Sequence, residues 1–117
     1  MTEVAYLVDN YIAAWNARDP EERRALVGRT FSENAVYVDP LMTGEGIDGI
    51  DAMIGAAQEQ FPGHRFSLAE GPDAHHECVR FSWNLESEEG AVVARGLDVV
   101  LLDAGRMSVV SGFLEAA

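Results

Sequence analysis

The chain has 117 residues, 20 acidic and 8 basic, for a formal net charge of −12, a balance that repels phosphate and excludes nucleic acid and anionic membrane surfaces as expected partners. Leu, Ile, Val and Phe supply 30 of the 117 residues, which excludes a chain too polar to fold. Cys78 is the single cysteine, which excludes an intrachain disulfide and a thiolate metal cluster.

This length fits one domain spanning residues 1–117. No apolar run reaches the roughly 18 residues of a membrane span, and Glu3 and Asp9 stand where a secretory signal would carry positive charge. The expectation is a soluble cytoplasmic protein.

In chain order, Val4, Leu7, Val8, Tyr11, Ile12 and Trp15 recur at helical spacing and predict an amphipathic helix over residues 3–16. Asp19, Pro20 and Glu22 read as N-cap, first helical residue and capping-box acid of a second helix running to about Thr30. The alternation from Ala35 to Asp39 predicts a strand that Pro40 ends. Ile47, Ile50, Ile54, Ala57 and Phe61 predict a third helix, stopped by Pro62 and Gly63.

Beyond Gly63 the period changes to two. Phe66 and Leu68 mark one strand, and Val79, Phe81, Trp83 and Leu85 alternate with Arg80, Ser82 and Asn84 in the next. Residues 91–102 form a long strand, Asp103 to Arg106 a hairpin, and residues 107–114 a last strand. Helices early and strands late predict an α+β domain, its three helices packed on one face of a curved antiparallel sheet that encloses a cavity.

Several strings in this order resemble the nuclear transport factor 2-like superfamily, and within it the ketosteroid isomerase and SnoaL-like polyketide cyclase branches. They are Tyr11-Ile12-Ala13-Ala14-Trp15-Asn16 with Asp19, Phe31 to Asp39-Pro40, and Gly96-Leu97-Asp98 followed by Asp103-Ala104-Gly105-Arg106. The resemblance implies a cone-shaped sheet. It also implies a homodimer, with the sheet face carrying Cys78, Arg80, Ser82 and Asn84 against a partner.

Carried over residue by residue, the resemblance implies Asp39 as general base, with Tyr11 and Asp98 as oxyanion-hole donors. A carboxylate beside an acidic carbon can lift a proton, and a phenol with a neutral carboxylic acid can stabilise the enolate oxygen. No cofactor is implied. The ligand would be a small apolar carbonyl compound, with Trp15, Met42, Met53, Phe61, Trp83 and Phe113 as candidate lining residues.

Each assignment has a structural rival. Tyr11 lies on the apolar stripe of the first helix, where a tyrosine can simply fill the core. Asp39 can be a strand terminus before Pro40. Asp98 shares a strand face with Ala94, Gly96, Val100 and Leu102, where an acid is costly unless paired or functional, and Arg80 or Arg95 could pair with it.

Arg95 so near Asp98 also gives a lesser resemblance to the limonene epoxide hydrolase branch. His75 and His76 are adjacent on a strand and therefore point to opposite faces, so no metal site is expected there. Enolisation, aldol closure with Asp98 as acid, and a non-catalytic ligand-binding or protein-interaction module are the functional readings this pattern allows.

Overall fold

The computed structural model describes residues 3–115. The elements are α1 (Glu3–Asn16), α2 (Pro20–Thr30), β1 (Phe31–Val38), β2 (Thr43–Glu45), α3 (Gly46–Gln60), β3 (Arg65–His75), β4 (Cys78–Glu86), β5 (Val92–Asp103) and β6 (Arg106–Glu115). One open sheet of six strands runs in the order β2-β1-β6-β5-β4-β3. Three helices and a curved, unclosed sheet make the α+β cone.

Four of the five strand pairings are antiparallel, but β1 and β6 run parallel. The sheet is thus antiparallel as the sequence predicts, except at this one pair. Period-two patterning reports which face a residue takes, not the direction of the neighbouring strand. Here α3 and the three hairpin-linked strands β3 to β5 form the long connection that a parallel pair requires. Register shifts interrupt four of the pairings, and each such irregularity bends its strand, which curls the sheet around the helices.

α1 buries Leu7, Val8, Tyr11, Ala14 and Trp15, the stripe expected from its spacing. Asp19 caps α2, its carboxylate accepting the Glu22 amide at 3.0 Å, and Pro20 occupies the first turn where its missing N–H costs nothing. α3 packs Ile50, Met53, Ile54 and Ala57 into the same core.

The C-terminal end of α1 is pinned from two directions. The Asn16 side chain donates to the Phe66 carbonyl at 2.9 Å and accepts the Phe66 amide at 2.8 Å, tying the helix to β3. The buried Gln58 amide donates to the carbonyls of Trp15 and Ala17 at 3.0 and 2.7 Å, satisfying two groups the helix end leaves open. In return, Arg18 donates to the carbonyls of Gln58, Phe61 and His64 at the end of α3. These ties fix the position of Trp15, and with it Tyr11 one turn earlier.

His75 ends β3 and His76 follows in the turn with φ of 51°, both exposed. Among the described residues no group of three or more His, Cys, Asp or Glu is placed to hold a metal, and no helix is long and apolar enough to cross a membrane.

Candidate active site

Along β5 the residues facing the helices are Gly96, Asp98 and Val100, all buried. Asp98 is paired across the sheet with Phe81 on β4 and Gly112 on β6, so it stands near the middle of the concave face. Tyr11 reaches it from α1, its hydroxyl donating to Asp98 Oδ2 at 2.7 Å across 87 positions of sequence. The Tyr11 ring is held edge-on to Phe81 at 5.2 Å between centroids and packs against Phe31 at 5.9 Å.

Asp98 is 1 % exposed, and its Oδ1 has no hydrogen-bond partner among the described residues. Neither arginine neutralises it. Arg80 is engaged with Asp73 at 3.1 Å, and Arg95 lies exposed on the opposite face of β5. Burial therefore raises the Asp98 carboxyl from 3.8 to about 6, against the opposing pull of the Tyr11 hydrogen bond and the nearby Trp83 indole; the Asp39 charge adds to the rise. The Trp83 N–H lies close enough to favour the charged form but does not leave Oδ1 hydrogen-bonded. Burial and the Asp98 charge push the Tyr11 phenol well above its ordinary value, so it remains a proton donor.

Asp39 follows β1 and is bound through both oxygens. Its Oδ1 accepts the amides of Leu41 and Met42 at 2.8 and 2.9 Å, while Oδ2 accepts the Tyr37 hydroxyl at 2.6 Å. The strand-terminating role is thus carried by Oδ1. The side chain nevertheless lines the cavity, together with Tyr11, Tyr37 and Asp98.

Gly112 shows how closely these groups converge. A Cβ on that residue would lie 3.0 Å from Asp98 Oδ1, 3.1 Å from Asp39 Cβ and 3.4 Å from Tyr37 Oη. The Asp98 carboxylate, the Asp39 methylene and the Tyr37 phenol therefore surround one point on β6 that only the absence of a side chain leaves open. Gly96 serves a second close approach, since the Trp83 indole lies directly against it. A side chain at Gly96 would drive that ring into the cavity.

The cavity is partly open to the surface, with a volume of about 100 Å³. Of the residues expected to line it, Trp15, Met42, Phe61 and Trp83 do so, whereas Met53 and Phe113 do not. Met53 packs into the core with its sulfur against Gly44. Phe113 is 55 % exposed because Gly112 takes the inward position on β6 and the next residue must point outward. Leu114, one step further, lines the cavity instead.

Tyr37 is a further residue of the site, beyond those the sequence singles out. Its signal was present: it precedes Asp39 by two positions on a strand, so both take the same face.

Residues 8–110 match the SnoaL-like domain family. No curated protein matches the sequence. A crystal structure of a candidate isomerase of the SnoaL-like family from Agrobacterium tumefaciens is similar at 53 % identity and a TM-score of 0.94, covering 99 % of this chain and 100 % of that one. A candidate polyketide cyclase from Sinorhizobium meliloti shares the fold at 16 % identity and a TM-score of 0.73, with 96 % and 99 % covered. A candidate ketosteroid isomerase from Kribbella flavida does so at 19 % identity and 0.71, with 98 % and 79 % covered.

Proposed function

This chain belongs to the SnoaL-like domain family, with the cone fold of the nuclear transport factor 2-like superfamily, and from that premise we propose that its cavity enolises a small carbonyl compound. The observation that carries the reading is the buried Tyr11–Asp98 pair, paired with no cation among the described residues and set beside a second carboxylate, Asp39. Asp39 takes the proton from the carbon next to the carbonyl, and the electron pair moves onto the carbonyl oxygen as the enolate forms. Returning the proton to the same carbon gives exchange, and to a conjugated carbon gives isomerisation.

With Asp98 charged, the Tyr11 hydroxyl is spent on Oδ2. One proton on Asp98 opens the pair, because the carboxylic acid and the phenol then each have an O–H for a single ligand oxygen. Their 2.7 Å separation allows both to reach it. This chemistry needs only the chain's own groups.

Aldol closure with Asp98 as general acid is a second reading, favoured by the same raised carboxyl, since an acid near 6 can protonate an oxygen at neutral pH. A purely binding module is the third. Incubation in D2O with cyclic ketones, followed by NMR, separates them. Deuterium uptake beside the carbonyl above the buffer rate is expected; ligand-induced shifts without uptake across all ketones would move the assignment to a binding module.

We also propose that the chain is a homodimer. The outer face of the sheet carries Val36, Val38, Leu101 and Phe113, each more than a third exposed. Strand register joins them through Val109 and Leu97 into one apolar surface beside Ser82 and Asn84. Such a surface suits a second copy better than water. Light scattering should return about 25 kDa, twice the 12.7 kDa of one chain; a value of 12.7 kDa at micromolar concentration would remove the claim.

A further inference from the structure

The cavity carries charge of one sign only. Asp39 and Asp98 line it, and none of its lining residues is an arginine, lysine or histidine. The donors at the two carboxylates are all neutral: the Tyr11 hydroxyl on Asp98 Oδ2, the Trp83 indole near Asp98, and the Tyr37 hydroxyl and two backbone amides on Asp39. The ion pairs among the described residues lie elsewhere, at Arg23–Asp51, Arg24–Asp48 and Arg80–Asp73. A carboxylate as buried as Asp98 is destabilised in its charged form unless positive charge arrives.

The walls suit a cation as well. Tyr11, Trp15, Tyr37, Phe61, Phe66 and Trp83 all line the same space. Trp15 has Tyr37 at 5.7 Å, Phe66 at 5.3 Å and Tyr11 at 6.3 Å between centroids, and Phe66 has Trp83 at 5.3 Å. These pairs are tilted by 51° to 74°, so the rings surround the space rather than stack across it. An aromatic face attracts positive charge, most strongly where water is excluded.

The hydrogen bonds already made select the kind of cation. A primary ammonium brings three N–H donors and a tight hydration shell, whereas Asp39 Oδ1 already accepts two amides, its Oδ2 the Tyr37 hydroxyl, and Asp98 Oδ2 the Tyr11 hydroxyl. A methylated ammonium with one N–H or none needs at most a single acceptor, and Asp98 Oδ1 has no direct partner among the described residues. Its methyl groups lose nothing by leaving water for the rings.

We propose that the cavity binds a small organic cation, a tertiary or quaternary methylated ammonium, with its charge beside Asp98 and its methyl groups against Trp15, Phe66 and Trp83. This goes beyond the enolisation reading and does not rest on it. The cation takes the place of the ketone oxygen and holds Asp98 charged, which keeps the Tyr11 hydroxyl on Oδ2. Cation and ketone therefore exclude one another.

The test is calorimetric titration of the unmodified chain with choline, dimethylethanolamine, ethanolamine and 3,3-dimethylbutan-1-ol, the uncharged isostere of choline. A salt concentration of about 0.15 M screens the acidic surface. Choline and dimethylethanolamine should bind at a single site, at least about tenfold more tightly than the isostere and about fivefold more tightly than ethanolamine, and should move the indole N–H signals of Trp15 and Trp83 in NMR spectra. Asp98→Asn should weaken choline binding at least about fivefold while leaving the isostere unchanged.

An isostere that binds as tightly as choline, tightest binding by ethanolamine, or indole signals unmoved by bound choline would each overturn the proposal. So would choline affinity unchanged in Asp98→Asn, which would place the cation on the acidic surface. The comparison of charged with uncharged probe and the indole shifts are read on the unmodified chain, so they decide even if Asp98→Asn fails to fold. Cation selectivity without deuterium exchange would sink the enolisation reading alone. Exchange without cation selectivity would sink this inference alone.

Discussion

Asp39→Asn should fold as the unmodified chain does and lose at least ~10²-fold of its α-proton exchange, the usual weight of a general base. Retention of fold follows from the bonds around the residue. The amide oxygen of asparagine can still accept the Leu41 and Met42 N–H groups, and the Tyr37 hydroxyl can rotate to accept from the new NH2. What is lost is a lone pair able to hold a proton beside the substrate carbon.

Asp98→Asn should cost less, because an amide still donates to the enolate oxygen, and Tyr11→Phe should weaken stabilisation without removing proton transfer. Steady-state exchange rates, with circular dichroism to verify folding, give the order. An Asp39→Asn protein that exchanges at the unmodified rate would eliminate Asp39 as the base.

Asp98→Asn should instead raise stability at neutral pH by about 1–3 kcal/mol. The sign follows from linkage. The folded chain holds the Asp98 proton up to about 6, while the unfolded chain releases it near 3.8, so between those values the native state binds more protons. Stability from this group is fully present below about 3.8 and is lost as pH rises through about 6.

Two units of difference correspond to about 3 kcal/mol at most, reduced by the charge-assisted Tyr11 hydrogen bond that the variant gives up. The variant should therefore melt several degrees higher at pH 7 and level with the unmodified chain near pH 4. Equal melting at both pH values would mean that Asp98 is not burdened by its burial. A site residue whose removal stabilises the fold is one kept for chemistry or recognition rather than packing.

Periodicity made the helices legible. The Val4-to-Trp15 stripe has strong helical spacing, and Asp19-Pro20 marks a start by capping chemistry alone, so both helices fall where the sequence places them. β2 was invisible because Thr43, Gly44 and Glu45 carry no alternation. Only the first part of β3 was read, since from Ala69 onward it is a mostly exposed edge strand containing Gly71 and Pro72, with no buried face to write a pattern.

In the site, strand parity correctly turned Asp98 toward apolar surroundings. Parity also accounts for the pairing of Tyr37 with Asp39 and for the outward turn of Phe113 after Gly112. The Tyr11–Asp98 contact spans 87 positions, and composition and period do not encode such a distance. Only the family resemblance brought those two residues together before the fold did.

The most direct measurement of enolate stabilisation by Tyr11 and a protonated Asp98 is the pH dependence of kcat/KM for α-proton exchange, which reports groups on the free protein. The rate constant should fall about tenfold per pH unit above a midpoint near 6, the value to which burial raises the Asp98 carboxyl, and that limb should vanish in Asp98→Asn. A profile flat from pH 5 to 8, or a limb that persists unchanged in Asp98→Asn, would contradict it.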